Sequence, residues 1–140
     1  VAYEFIEKYG MVDNVLLGLG NGSSTYGIAK VFKKQHPTCK VYSYYPSFAS
    51  NKIVYGLYAD GLTFKHINLA QKESLVDNDL FTDNLLLENV YDIFKETPII
   101  KEWGHSSLYA LLLAARIAEE KYDESFFSIA YDKIERYYNE

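Results

Sequence analysis

A single cysteine, Cys39, in 140 residues leaves no partner for an internal disulfide, and a reducing, cytoplasmic setting is expected. Positive charge is scarce: 14 basic residues face 19 acidic ones, the net charge is −5, and the basic residues are scattered. Without a basic stripe to neutralise phosphodiesters, nucleic acid is not an expected partner. The longest apolar run, Leu108–Ala115, falls well short of the roughly 18 residues that cross a bilayer. No signal peptide is legible, so no membrane partner is expected. His36, His66 and His105 lie far apart, and with one cysteine they make no standard zinc site, so no metal is expected. No Ser/His/Asp order stands out, and repeats, linkers and low-complexity stretches are absent.

What is present is a chain of single-domain length, 49% apolar, enough for a real core. Its 14 tyrosines and 8 phenylalanines read as cover for half-buried surface. Ala2 to Tyr9 has a helical period, with Phe5, Ile6 and Tyr9 on one face and Gly10 at the C-cap position. Val15 to Leu19 reads as a buried strand, Ser24 to Gln35 as a helix, and Lys40 to Tyr45 as a second strand closed by Pro46. Phe48 to Ala70, with no clean period, reads as a connecting loop. Leu75 to Phe81 reads as extended. Thr82 then stands as N-cap of a helix over Leu85 to Lys95, with Asp83 in its first turn. Pro98–Ile100 is a short extended piece. Ser106 or Ser107 caps an apolar helix from Leu108 to Lys121, and Phe126 to Ala130 is the last strand. Asp77, Asp79, Asp83 and Asp92 read as a solvated acidic face. Strands alternating with helices predict an α/β three-layer sandwich with a mostly parallel sheet, whose ligands sit at the carboxyl ends of the strands.

The stretch Gly18–Gly27 falls at such an end. A glycine-rich turn between strand and helix lets the backbone approach an anion, and the helix N-terminus offers N–H groups and partial positive charge. Asn21, Ser23, Ser24 and Thr25 add hydroxyl and amide donors. The pattern is not G-x-G-x-x-G: from Gly18 the last position is Ser23, and from Gly20 it is Thr25. No acidic residue closes the next strand to hold a dinucleotide ribose, and Gly27 is followed by Ile28-Ala29 rather than Lys-Ser. A βα turn of small residues, kept for packing alone, reads the same way locally.

Four segments in order resemble one family. Val12–Ala29 is similar to the VD-x-x-x-x-G-x-GTGGT-x-x-G-x-x segment of the cysteine synthase (O-acetylserine sulfhydrylase) and cystathionine β-synthase group. Asn51–Gly56 resembles the HKIQG run of cysteine synthases, Gly104-His105-Ser106-Ser107 resembles GISSG, and Asp132–Tyr137 resembles the closing S-GERY signature. These are fold-type II pyridoxal-phosphate enzymes, and the resemblance implies the C-terminal, large-domain part of one, over essentially the whole chain. It implies that Gly20, Asn21, Gly22, Ser23 and Ser24 hold the cofactor phosphate, that Ser106 faces the pyridine nitrogen, and that Gly56 belongs to a substrate loop. A hydroxyl against that nitrogen leaves it unprotonated more often than a carboxylate would, favouring β-elimination and replacement. Locally, Ser106 also reads as an ordinary N-cap.

The family's Schiff-base lysine belongs to an N-terminal half that this stretch does not contain, so no residue here is expected to be catalytic on its own. Lys52 matches a loop lysine, not that position. The chain starts at Val1, without methionine, which reads as a cut or processed start. A small amino-acid substrate, a homodimer, and a missing N-terminal segment or partner chain are the expected partners. Ser23 replaces a glycine of GTGGT, Tyr58 a small glycine, Leu108 the final glycine of GISSG, and Trp103 a small residue. Ser23 either crowds the approach or adds a donor, while Tyr58, Leu108 and Trp103 favour a second reading: a catalytically inactive module of the same fold that serves a structural or interaction role.

Overall fold

The computed structural model describes residues 1–20, 22–46, 65–82, 96–98, 102–131 and 133. Their elements are α1 (Ala2–Tyr9), β1 (Asn14–Gly18), α2 (Ser23–Gln35), β2 (Lys40–Pro46), α3 (Lys65–Lys72), β3 (Asn78–Thr82), α4 (His105–Glu120) and β4 (Phe126–Phe127). All the strands run parallel in one sheet of order β3-β2-β1-β4, with Val15 opposite Val41 and Phe127, and Ser43 opposite Asp79.

Every residue of β1 is buried, as a parallel strand covered on both faces requires. Side chains alternate between two layers. Leu16, Tyr42 and Tyr44 pack with Leu108, Tyr109, Leu112 and Leu113 of α4. Val15, Leu17 and Val41 turn the other way, onto Ile28, Ala29 and Phe32 of α2 and the half-buried Phe5 and Ile6 of α1. Leu19, Tyr45 and Ile67 extend that layer under α3. The arrangement is the expected α/β sandwich: α1–α3, sheet, α4.

The amino end of the sheet is pinned by Asp13. Its carboxylate accepts the Ser125 backbone N–H at 2.8 Å, while Asn14 N–H donates to Ser125 O at 3.0 Å. That backbone bond, with help from the Ser125 hydroxyl, holds the Asp13 carboxyl below the usual aspartate range. The chain thus passes from α4 into β4 at the amino edge, and α4 must begin at the carboxyl edge.

Several sequence expectations are corrected. Lys65–Lys72, whose Lys65–Ala70 part falls in the expected connecting loop with short pieces, is helical: Ile67 and Ala70, one turn apart, are its buried stripe. Extended structure over Leu75–Phe81 narrows to a strand that begins at Asn78 and runs through Thr82; the helix that Thr82 is expected to cap lies outside the described residues. Neither Ser106 nor Ser107 is an N-cap. Extended Gly104 takes that place, and its carbonyl accepts the N–H groups of Ser107 and Leu108 at 3.1 and 3.2 Å. The last strand stops at Phe127 instead of Ala130, where the Ser128 hydroxyl, not a backbone N–H, donates to Leu16 O at 2.9 Å. Tyr9 is exposed although it leans on Phe5, their ring centroids 5.1 Å apart. The segments Leu85–Lys95 and Ile99–Ile100 lie outside the described residues.

Candidate functional site

β1 leads into α2 across a short stretch that includes Gly20 and Gly22, the strand–turn–helix order the sequence predicts. Leu19 N–H extends the ladder past β1 by donating to Tyr44 O at 3.0 Å, and Gly20 follows. Gly22 has φ 88° and ψ −6°, left-handed backbone that glycine adopts without strain. The backbone ladder of α2 opens with Tyr26 N–H to Gly22 O at 2.8 Å, so the amides of residues 23–25 lie ahead of it. The first turn of α2 contains no acidic residue, while Lys33 and Lys34 occupy the last. The helix dipole is therefore uncompensated at the end where Ser23 and Ser24 stand exposed.

Ser106 lies in the first turn of α4 and is buried, 5% exposed. That turn also starts without an acidic residue. From Phe127, paired with Val15, the chain runs on toward the carboxyl edge. There Tyr131 N–H donates to the Ser107 hydroxyl at 3.1 Å. The Gly20–Ser24 turn and Ser106 thus come to the same edge of the sheet from its two opposite layers. Leu108 is wholly buried in the core with Leu16 and Tyr44. Trp103 is half-buried beside the same core and bridges antiparallel to Lys133.

Asn21, Lys52, Gly56, Tyr58 and, apart from Lys133, the Asp132–Tyr137 segment lie outside the described residues, as do Asp83 and Asp92. No group of three or more His, Cys, Asp or Glu side chains that could hold a metal occurs among the described residues. No helix there is long and apolar enough to cross a membrane.

The two described acidic residues of the expected solvated face are engaged. Asp77 Oδ2 meets Lys33 Nζ at 2.6 Å and the Val41 N–H at 2.7 Å. Desolvation is the largest single influence on Asp77 and raises its pKa. The Lys33 and Val41 bonds together outweigh it, holding the carboxyl below the usual range. Asp79 accepts the Ser43 hydroxyl at 2.5 Å and the Tyr45 hydroxyl at 3.3 Å. Both lie on a cleft of about 280 Å³ between α2, α3 and the β2–β3 half of the sheet, lined also by Leu19, Thr25, Ile67 and Gln71. Thr25 is 1% exposed, and its hydroxyl has no hydrogen-bond partner among the described residues. Leaving such a group unpaired costs about 1–3 kcal/mol. The sequence reading missed this polar set. Its signal was Ser43, a polar residue inside the apolar run Val41–Tyr45, and the i, i+2 spacing of Asp77 and Asp79.

No protein-family model matches the chain, and no curated protein matches its sequence. Solved structures do. An O-acetylserine sulfhydrylase isoform 3 from Entamoeba histolytica is 21% identical with a TM-score of 0.75, over 98% of this chain and 42% of that one. An O-ureido-L-serine synthase is 20% identical with a TM-score of 0.75, over 97% and 45%. A hydrogen sulfide-producing enzyme from Fusobacterium nucleatum is 22% identical with a TM-score of 0.65, over 97% and 48%. The chain spans less than half the length of each of these proteins. It has, over nearly all its residues, the α/β fold found in part of these enzymes.

Proposed function

We propose that this chain is the part of a pyridoxal-phosphate enzyme of the cysteine synthase and cystathionine β-synthase type that holds the cofactor's phosphate and pyridine ring. The observation that carries this reading is the meeting, at one sheet edge, of two helix N-termini free of acidic first-turn residues. One bears the glycine turn and the other a buried, uncharged serine. A dianionic phosphate fits the first, through the amides ahead of the ladder and the hydroxyls of Ser23 and Ser24, with Gly20, Asn21 and Gly22 shaping the turn. An unprotonated ring nitrogen fits Ser106, whose hydroxyl donates without adding negative charge. When bound, pyridoxal phosphate supplies the electron sink for replacement at the β-carbon of a serine-type amino acid. The lysine that such chemistry needs comes from a preceding segment or a partner chain, and the assembled protein is a homodimer.

The test is titration of the intact protein with pyridoxal phosphate, read by visible absorbance, then borohydride reduction and mass analysis. Uptake that inorganic phosphate competes away and that Ser24→Ala weakens is the expected result. Replacing Ser106 by aspartate should shift the visible band, by favouring a protonated ring nitrogen. No uptake by the intact protein would refute the reading and leave a fold kept for structure or partner binding.

A further inference from the structure

We propose that the cleft between α2, α3 and the β2–β3 half of the sheet binds the ammonium group of a short primary amine. This site lies beside the Gly20–Ser24 turn, whose flanking residues Leu19 and Thr25 line it, and the inference does not rest on the cofactor reading.

The charge of the cleft sets the sign of its ligand. Among its described lining residues there is no lysine, arginine or histidine. Asp77 is already neutralised by Lys33, 2.6 Å away. Asp79 is not: no basic side chain among the described residues pairs with it. It stands exposed on the cleft wall, held by the Ser43 and Tyr45 hydroxyls. The Ser43 proton is committed to that carboxylate at 2.5 Å, so this buried hydroxyl presents acceptor lone pairs to any further partner.

Thr25 is the second, independent observation. Its hydroxyl is buried, without a partner among the described residues and in the cleft lining, from the layer opposite Ser43 and Asp79. A carboxylate with acceptor hydroxyls near it suits a cation that carries several N–H donors, and an ammonium has three. Leu19, Ile67, Ala70 and Val76 supply aliphatic wall beside the amides of Gln71 and Asn78, and about 280 Å³ accommodates a short alkyl chain but no large ligand. An anion would meet Asp79 with no cationic side chain among the described lining residues to offset the repulsion.

The experiment is an amide chemical-shift titration of the intact protein at pH 7 with n-butylamine, which is cationic there. The controls are n-butanol and butyrate, matched in size. Saturable shifts at Thr25, Ser43 and Asp79 with the amine alone are expected. Asp79→Asn should weaken the affinity roughly ten-fold or more, since it removes the charge from the hydrogen bonds, and Thr25→Val by several-fold. Glu73→Gln, outside the cleft, should leave binding unchanged. Absence of saturation, equal binding of n-butanol, or full competition by potassium chloride would overturn the proposal. The comparison of amine, alcohol and acid uses the unaltered protein, so it stands even if a variant fails to fold.

Discussion

Two glycines with positive φ allow the backbone around the site to be tested with an internal control. Gly10, closing α1, has φ 82° and ψ −166°; Gly22, opening α2, has φ 88° and ψ −6°. Their φ values are nearly equal, but their ψ values place them in different regions. Gly22 is left-handed helical, where an L-residue is strained by about 1–2 kcal/mol. Gly10 is in the region that glycine nearly monopolises, where a side chain costs about 1–3 kcal/mol and its surroundings must enforce the strain. A Cβ at Gly10 would meet nothing within 4 Å, so its cost is backbone alone. The Gly10 N–H is fixed to Ile6 O at 2.9 Å, which resists relaxation. Alanine also removes unfolded-state freedom, worth about 0.4–1 kcal/mol in the opposite sense. Net losses of about 1–2 kcal/mol for Gly10→Ala and about 0.5–1 kcal/mol for Gly22→Ala follow, with Gly22→Asn milder, because asparagine tolerates left-handed backbone. Urea unfolding measures all three. Ligand affinity should rank otherwise: phosphate binding should fall for the Gly22 variants and hold for Gly10→Ala. A Gly10→Ala loss below a few tenths of a kcal/mol, or equal effects of both glycines on phosphate binding, would refute this reasoning.

Phe32 fastens α2 to the sheet: it is wholly buried, its ring centroid 5.2 Å from that of Phe127 and 6.3 Å from that of Phe5. Phe32→Ala should cost about 3–5 kcal/mol in urea unfolding, since both transfer and cavity terms are lost. Asp77 predicts a pH dependence. Its folded pKa lies below the ordinary 3.8, so its contribution is present above the unfolded value and lost as pH falls through the folded one. Asp77→Asn should therefore destabilise by about 0.5–1 kcal/mol at neutral pH, the worth of a partly exposed pair. The gap to the unaltered protein should close as the pH falls through the folded pKa, below the ordinary aspartate range, in acid titrations of stability.

How far the sequence told this in advance depended on the strength of each local signal. β1, α2 and β2 were legible because a five-residue buried run, a glycine turn and a helical period follow one another without ambiguity. α3 was not: in Lys65–Lys72 only Ile67 and Ala70 are buried, and two inward residues do not make a period. The start of α4 was misplaced because two serines outrank glycine as caps in general, while here extended Gly104 does the work with its carbonyl. Ser106 was picked out by the resemblance alone, since local rules gave it the capping role that Gly104 holds. The cleft was illegible for a different reason. Thr25, Ser43 and Asp79 come from three elements, and only the parallel register that sets Ser43 opposite Asp79 brings their roles together.

Thr25 also supplies a stability argument that needs no ligand. A hydroxyl in a residue 1% exposed, without a partner among the described residues, is a standing cost to the folded state. Valine has the same shape and nearly the same helix propensity. Thr25→Val should therefore raise stability, by about 1 kcal/mol, where most buried substitutions lower it. The measurement is the urea midpoint at unchanged m-value, made without added amine. Loss of stability on that substitution would mean that the hydroxyl finds a partner within the fold, and Thr25 would no longer speak for a ligand in the cleft. A gain, with amine affinity reduced in the same variant, would mark a position where the sequence gives up stability to keep an acceptor in place for something that binds.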